Sequence, residues 1–322
     1  MSTDTLLIEI GTEELPPAAA KNLSDTLTKF ISAQLSEAGF TLGEVKPYVT
    51  PRRLALTISS LSRQQPEQNV ERKGPAVKAA YDKNGEPTKA ALGFAKSCGV
   101  EIQELQTLET DKGAWLYFKS LVPGKSIQQE LPEILEQGLN KLPIPRPMRW
   151  GSREIEFVRP VHWVTVMYGN EVIPCEIKGI SASNHSYGHR FHAPEAIELK
   201  HANDYESSLL NAKVIADFSI RQNKIRSLLE ECADRYDADL SYGDALLEEV
   251  TNLVEWPALI VGEFSEAFLD IPQEALVATM QDAQRYFPMF SKQTGTLLPY
   301  FITIANIESS NPDTIKHGNE RV

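Results

Sequence analysis

The stretch LLIEIGTEELPP (residues 6–17) decides how the chain begins: an apolar strand runs into the first turn of a helix. Pro16 and Pro17 suit that turn, where a missing backbone N–H costs nothing. Leu23, Leu27, Phe30, Ile31 and Leu35 then recur at helical spacing, and Gly39 is a natural C-terminal stop. Beyond Pro51, tolerated at a strand entrance, Leu54, Leu56 and Ile58 alternate with Ala55, Thr57 and Ser59, the pattern of a half-buried strand. The opening therefore reads β-α-β. By the same alternation Arg53 lies on the Ala55/Thr57/Ser59 side and is expected to point to solvent or to a partner.

Outward from this unit, residues 62–87 are polar and read as a loop or linker with a Lys83-Asn84-Gly85 turn. Thr88 can cap a short helix reaching Gly99. Asp111-Lys112-Gly113 introduces a strand over 114–122, and a helix covers about 126–141, its regular part starting near Pro132. Pro143, Pro145 and Pro147 alternate, favour extended backbone and mark the clearest boundary. Past it, Gly169-Asn170 is a two-residue hairpin signal. Helices are expected near 203–211, 219–236, 243–254 and 272–283, between strands such as VIADF (214–218), ALIVGEF (258–264) and LLPYFITIA (297–305). The class is α+β or mixed α/β: an N-terminal α+β domain over 1–142, a proline-rich linker at 143–147 and a second α+β domain over 148–322.

A chain of 322 residues is too long for one ordinary core. Apolar content of 42% and charged content of 24% are those of a globular protein. No stretch of about eighteen apolar residues predicts a membrane span, and the N-terminus MSTDTLLIEI has no basic region and an early acidic residue, unlike a signal peptide. Cys98, Cys175 and Cys232 are odd in number and far apart, which suits buried thiols in a cytoplasmic protein. The net charge of −12 is concentrated: residues 226–282 hold 14 Asp and Glu against two Arg, a balance equal to that of the whole chain. That region cannot be the main face for a polyanion.

Several constellations invite chemistry. His185, His189 and His192 suggest zinc, but Gly188 and Pro194 argue against a helix presenting them together, so structural or RNA-contacting histidines are the preferred reading. Glu13-Glu14 reads as charge complementing a helix start. Glu230-Glu231 and Glu248-Glu249 fall on expected solvated helix faces. Nucleophile elbows, Walker loops and dinucleotide fingerprints are missing from the sequence. The positive signal is arginine. Arg52 and Arg53 stand at a strand mouth, and Arg146, Arg149, Arg153 and Arg159 are interleaved with Trp150, Phe157 and Trp163. Guanidinium forks match phosphate geometry and aromatics can stack on bases, but core or interdomain packing is the preferred reading of Trp150 and Trp163, and inter-domain or inter-subunit ion pairs stand level with phosphate contact for the arginines.

Taken together, LLIEIGTEELPP, TPRRLAL (50–56), MRWGSREIEFVRPVHW (148–163), YGHRF (187–191) and QRYFP (284–288) resemble the beta subunit of the bacterial two-subunit glycyl-tRNA synthetase. The resemblance implies a cytoplasmic subunit, without catalytic or metal-binding residues of its own, that binds tRNA(Gly) and docks an alpha subunit in an alpha2beta2 enzyme. ATP and Mg would sit on the alpha subunit and no cofactor on this chain. The residues expected to meet tRNA are Arg52, Arg53, Arg146, Arg149, Arg153, Arg159, His189 and Arg190. The second domain is expected to resemble the editing-type domain of the phenylalanyl-tRNA synthetase beta chain, with HD-type and anticodon-binding domains lying beyond the chain. Hydrolytic editing of mischarged tRNA, with the 185–192 histidines at its centre, and a purely structural scaffold for the alpha subunit are the alternative readings.

Overall fold

In the computed structural model β1 (Thr3–Thr12) is the middle strand of a five-stranded antiparallel sheet. All residues are described except Met1, Asn84, Lys112, Ser152 and Arg153, together with the side chain of Gln68. The expected turns at Lys83-Asn84-Gly85 and Asp111-Lys112-Gly113 therefore lie partly outside the described residues. Helix α1 (Pro17–Glu37) starts where the proline pair predicts. Its Ala20, Leu23, Leu27, Ile31 and Leu35 pack on Leu6, Ile8 and Ile10 of the sheet. β2 (Val45–Thr50) and β3 (Arg53–Ser62) follow, with β3 between β1 and β2.

On its other side β1 pairs with the strand Val161–Tyr168, in a register running from Leu6 opposite Tyr168 to Gly11 opposite Trp163. The sheet thus crosses the proline-marked boundary expected at 143–147. Those prolines follow the end of a helix, but a helix stop is not a domain boundary when the next strand is apolar enough to be buried. The Gly169-Asn170 hairpin forms as expected, linking that strand to Glu171–Val172, with Gly169 at φ +60.

The second face of this sheet is also covered. Leu7, Tyr48, Ala55 and Met167 are buried beneath Leu199, Ala202, Tyr205, Leu209, Val214 and Ala216. Of the two expectations for Arg53's side of β3, solvent or a partner, this cover rules out solvent: alternation assigns residues to a face but does not say what lies over it. Residues 214–217 of the expected strand VIADF form part of this cover as irregular chain, and Phe218 begins the helix Phe218–Arg235.

Between β3 and the proline stretch sits a small module. β4 (Gln68–Ala76), β5 (Gln106–Thr110) and β6 (Gly113–Val122) make a sheet with β6 central. Helices α2 (Val77–Ala80) and α3 (Lys89–Cys98) accompany it. β4 and α2 occupy residues 68–80 of the expected linker; the polar residues of β4 pair with β6 beside a small buried core of Ala80, Ala91 and Leu116. Helix α4 (Ile127–Asn140) begins before Pro132, held by the reciprocal capping of Ser126 and Gln129. The chain then builds a four-stranded antiparallel sheet ordered Ala238–Leu240, Phe287–Ser291, Leu297–Ala305, Ala258–Glu263. Ile225, Leu229, Leu247 and Val250 of two helices pack on its Phe287, Met289 and Ile302. No helix among the described residues is long and apolar enough to cross a membrane.

Candidate nucleic-acid interface

Four of the five sequence blocks meet at one place, where the four-stranded module docks on the central sheet. Arg53, at the start of β3, is fully buried. Its guanidinium lies 2.9 Å from Glu9 of β1 and 3.1 Å from Glu255, which follows the helix Asp244–Thr251. It also donates to the Tyr187 carbonyl at 3.0 Å and to Thr50 Oγ1 at 3.2 Å. Glu9 accepts from the Tyr205 hydroxyl at 3.1 Å, and Glu255 from Thr50 Oγ1 at 2.6 Å. Burial opposes the charge of Arg53, but Glu255 and Glu9 outweigh it and hold the guanidinium firmly protonated. Burial likewise works against ionised Glu255, and Arg53, Thr50 and Arg52 together draw it below the usual carboxylate value. Arg53 is therefore a structural cation, out of reach of an external phosphate.

A second buried arginine ties the same junction. Arg221 donates to the carbonyls of Thr251 at 3.1 Å, Ile215 at 2.5 Å and Val49 at 2.7 Å. With no carboxylate in contact, burial pulls it down to about 10. Asn306 closes the set: its side-chain oxygen accepts from the Glu255 and Trp256 amides, and its carbonyl accepts from His189 Nε2 at 2.6 Å.

His189 is completely buried, not RNA-facing. Its Nδ1 accepts from the amides of Phe191 and His192, which places the proton on Nε2. Burial lowers its pKa and keeps it neutral. His185 is exposed on a short strand, while His192 accepts from the Glu308 amide at 3.1 Å. The rings of His189 and His192 lie with centroids 4.7 Å apart, but their nitrogens are engaged by different backbone partners. Among the described residues no cluster of three metal-ligating side chains occurs.

Above this network an open cleft of about 380 Å³ is lined by Arg52, His162, Trp163, Tyr187, Gly188, Arg190 and Pro194. Glu13 bridges two of its side chains, 3.0 Å from His162 and 3.2 Å from Arg190, and Glu14 reaches Arg190 at 3.4 Å. The expected role of Glu13-Glu14 in complementing the helix start is thus replaced by ion pairing across the cleft. The first turn of α1 holds no acidic residue. Burial opposes ionisation of Glu13, but Arg190 and His162 together lower its pKa. Trp163 and Tyr187 lie with ring centroids 5.0 Å apart. Gly11 lets the indole of Trp163 rest directly on β1, since a Cβ there would overlap the ring.

Arg52 differs from its neighbours. It is half-buried, its guanidinium sits 5.6 Å from the Trp163 ring, and its Nε is enclosed without a hydrogen-bond partner. Burial lowers its pKa, opposed by Glu255 and reinforced by Arg190 and Arg53. The other expected arginines are dispersed. Arg159 donates to the carbonyls of Glu14 and Val158 near the cleft. Arg149 is exposed and paired with Glu156 at 2.5 Å; Arg146 is exposed on the proline stretch, and Arg153 lies outside the described residues.

Glu9, Glu255, Arg221, Tyr205 and Asn306 escape the sequence reading. The available signal for Glu9 is a lone carboxylate inside the apolar run LLIEI, where a charge needs a buried partner. Nothing comparable marks Glu255, whose partner is set by the docking of two modules.

The model of the glycyl-tRNA synthetase beta subunit family matches residues 6–322. The chain is 45% identical over its whole length to the glycine–tRNA ligase beta subunit of Pseudoalteromonas translucida, of which it covers 47%. The corresponding proteins of Hahella chejuensis and Cronobacter sakazakii are each 46% identical, covered to 46% and 47%. The chain thus spans about half the length of the curated relatives it matches. From residue 6 to residue 322 it belongs to the glycyl-tRNA synthetase beta subunit family.

Proposed function

We propose that this chain is a tRNA-binding and assembly part of a two-subunit glycine–tRNA ligase, in which a separate alpha subunit holds ATP and Mg and activates glycine. The observation that carries its RNA role is Arg52. A half-buried guanidinium in no salt bridge among the described residues, its Nε without a hydrogen-bond partner and poised over an indole at an open cleft, is suited to donate to a phosphate oxygen. Arg190 and His162 widen the donor set on the cleft wall, although each already leans on Glu13. The contribution to aminoacylation is positional: holding the tRNA body orients its acceptor end toward the activated glycine and lowers the transfer barrier.

Two measurements test the reading. Filter binding of tRNA(Gly) at several salt concentrations should show weaker binding for Arg52→Ala, with a salt slope shallower by about one. Glycyl-tRNA should form only when a glycyl-tRNA synthetase alpha subunit is added. Unchanged affinity and slope in Arg52→Ala would remove the RNA role of the cleft. Aminoacylation by this chain alone, or robust deacylation of mischarged tRNA, would replace the proposal with a catalytic one.

A further inference from the structure

The small module between β3 and α4 has two unlike faces. Leu116 of β6 is buried with Ala80 and Ala91, and Phe94 of α3 packs against the same cluster. Arg72 of β4 reaches the Ser97 carbonyl on α3, so the helical side is settled. Residues of opposite parity point the other way. Trp115, Tyr117, Lys119 and Leu121 follow one another along β6, beside Glu71 and Lys73 of β4 and Leu108 of β5. Two contacts confirm this shared face: Lys73 Nζ stands 4.0 Å from the Trp115 ring centroid, and Lys119 pairs with Glu71 at 3.2 Å. The face is open, with Leu121 60% exposed and both Lys119 and Glu71 51% exposed.

We infer that this sheet face is a platform for unpaired RNA, with Tyr117 as the stacking surface for a base and Lys73 and Lys119 as phosphate contacts on either side of it. Lys73 lies directly across from Tyr117 in the β4–β6 register, and Lys119 lies two residues along the same strand, about 7 Å away. An aromatic ring flanked by two ammonium groups matches a nucleotide's alternation of base and phosphate. Trp115 anchors Lys73 by cation–π contact and keeps that ammonium at the edge of the platform. The cations also decide between occupants: an apolar partner helix would bury the two lysines at a cost, whereas a polyanion uses them. Glu71 opposes the anion. It pairs with Lys119, and both Tyr117 and Lys119 hold its pKa below the usual carboxylate value. Glu71 therefore acts as a brake, and its removal raises the charge of the face.

This platform is separate from the Arg52 cleft, and its choice of RNA over DNA rests on the function proposed above. The test uses the whole chain and a fluorescently labelled, unstructured oligouridylate, read by anisotropy against the same label in an RNA duplex. The single strand should bind more tightly than the duplex. Tyr117→Ala should weaken it about tenfold, Tyr117→Phe should retain it, and Lys73→Ala should weaken it and reduce the salt slope by about one. Glu71→Gln should strengthen it. Thermal melting of each variant reports folding, and failure of Tyr117→Ala to fold would leave Lys73→Ala and Glu71→Gln, both exposed, to decide. Equal binding by all variants, or a preference for duplex, overturns the platform. So does loss of alpha-subunit binding in the Tyr117 and Lys73 variants with oligonucleotide binding intact, which would make the face a protein interface. Tyr117→Ala and Lys73→Ala should each weaken oligouridylate binding to the same degree with or without Arg52→Ala, so failure of either proposal is distinguishable from failure of the other.

Discussion

Replacing Arg53 with methionine removes a guanidinium that solvent does not reach and leaves Glu9 and Glu255 buried without their cation. Each ion pair, near 3 Å, is worth roughly 5 kcal/mol of attraction at an effective dielectric of about 20, before desolvation is counted. The two carboxylates do not become wholly bare. Glu9 keeps the hydroxyls of Tyr205 and Thr165, and Glu255 keeps that of Thr50. The expected net loss is therefore that of a broken buried pair, about 3–5 kcal/mol. Against a domain stability of about 5–15 kcal/mol, this is large without forcing complete unfolding at room temperature. Urea titration followed by circular dichroism should show a lower midpoint in the transition that separates the four-stranded module from the central sheet, because Glu255 belongs to one and Glu9 to the other. A triple variant, Glu9→Gln, Arg53→Met and Glu255→Gln, should recover much of the loss, since neither buried carboxylate is left charged without its cation. A loss below about 1 kcal/mol for Arg53→Met alone would refute the claim that these charges clamp the junction.

The neighbouring residue should behave in the opposite way: Arg52→Ala should change stability by less than about 1 kcal/mol, because its enclosed Nε has no hydrogen bond to lose, and a larger loss in the same titration would show that it is structural. Burial lowers the pKa of His189, so the folded state binds fewer protons than the unfolded one. Its contribution is complete above the unfolded value of about 6.5 and declines as pH falls through the lowered folded value. The melting temperature should therefore drop on acidification through that window, and His189→Gln, which keeps a donor for Asn306, should flatten the dependence; an unchanged slope would show that other groups set it. Gly11→Ala should cost about 1–3 kcal/mol by pushing the Trp163 indole off β1, and it should alter tryptophan emission and weaken tRNA binding together. Loss of stability with the cleft's RNA affinity intact would separate Trp163 from the binding surface.

Local order is legible in the residues because neighbours in sequence decide it. Leu23, Leu27, Ile31 and Leu35 recur at helical spacing and are buried on one face of α1, and Gly169-Asn170 turns the hairpin it predicts. Burial of Arg53 is not legible in this way. Alternation places it opposite Leu54, but whether that side is wet depends on residues 199–216, which arrive much later in the chain. The prolines at 143, 145 and 147 mislead for a related reason: they govern the backbone beside them, while the fate of Val161–Tyr168 is settled by β1. The same distinction sorts the motif blocks. LLIEIGTEELPP, TPRRLAL, MRWGSREIEFVRPVHW and YGHRF send Glu9, Arg53, Trp163 and His189 inward, where Arg53 and His189 tie the two modules together and Trp163 packs on Gly11 and Arg53. They leave Glu13, Arg52, His162 and Arg190 around the cleft above. A motif that serves packing and binding at once cannot be divided by residue type, since adjacent arginines take opposite parts. Salt bridges divide it: Arg53 makes two, whereas among the described residues Arg52 makes none and its Nε has no hydrogen-bond partner, which is why that arginine is the place to look for a ligand.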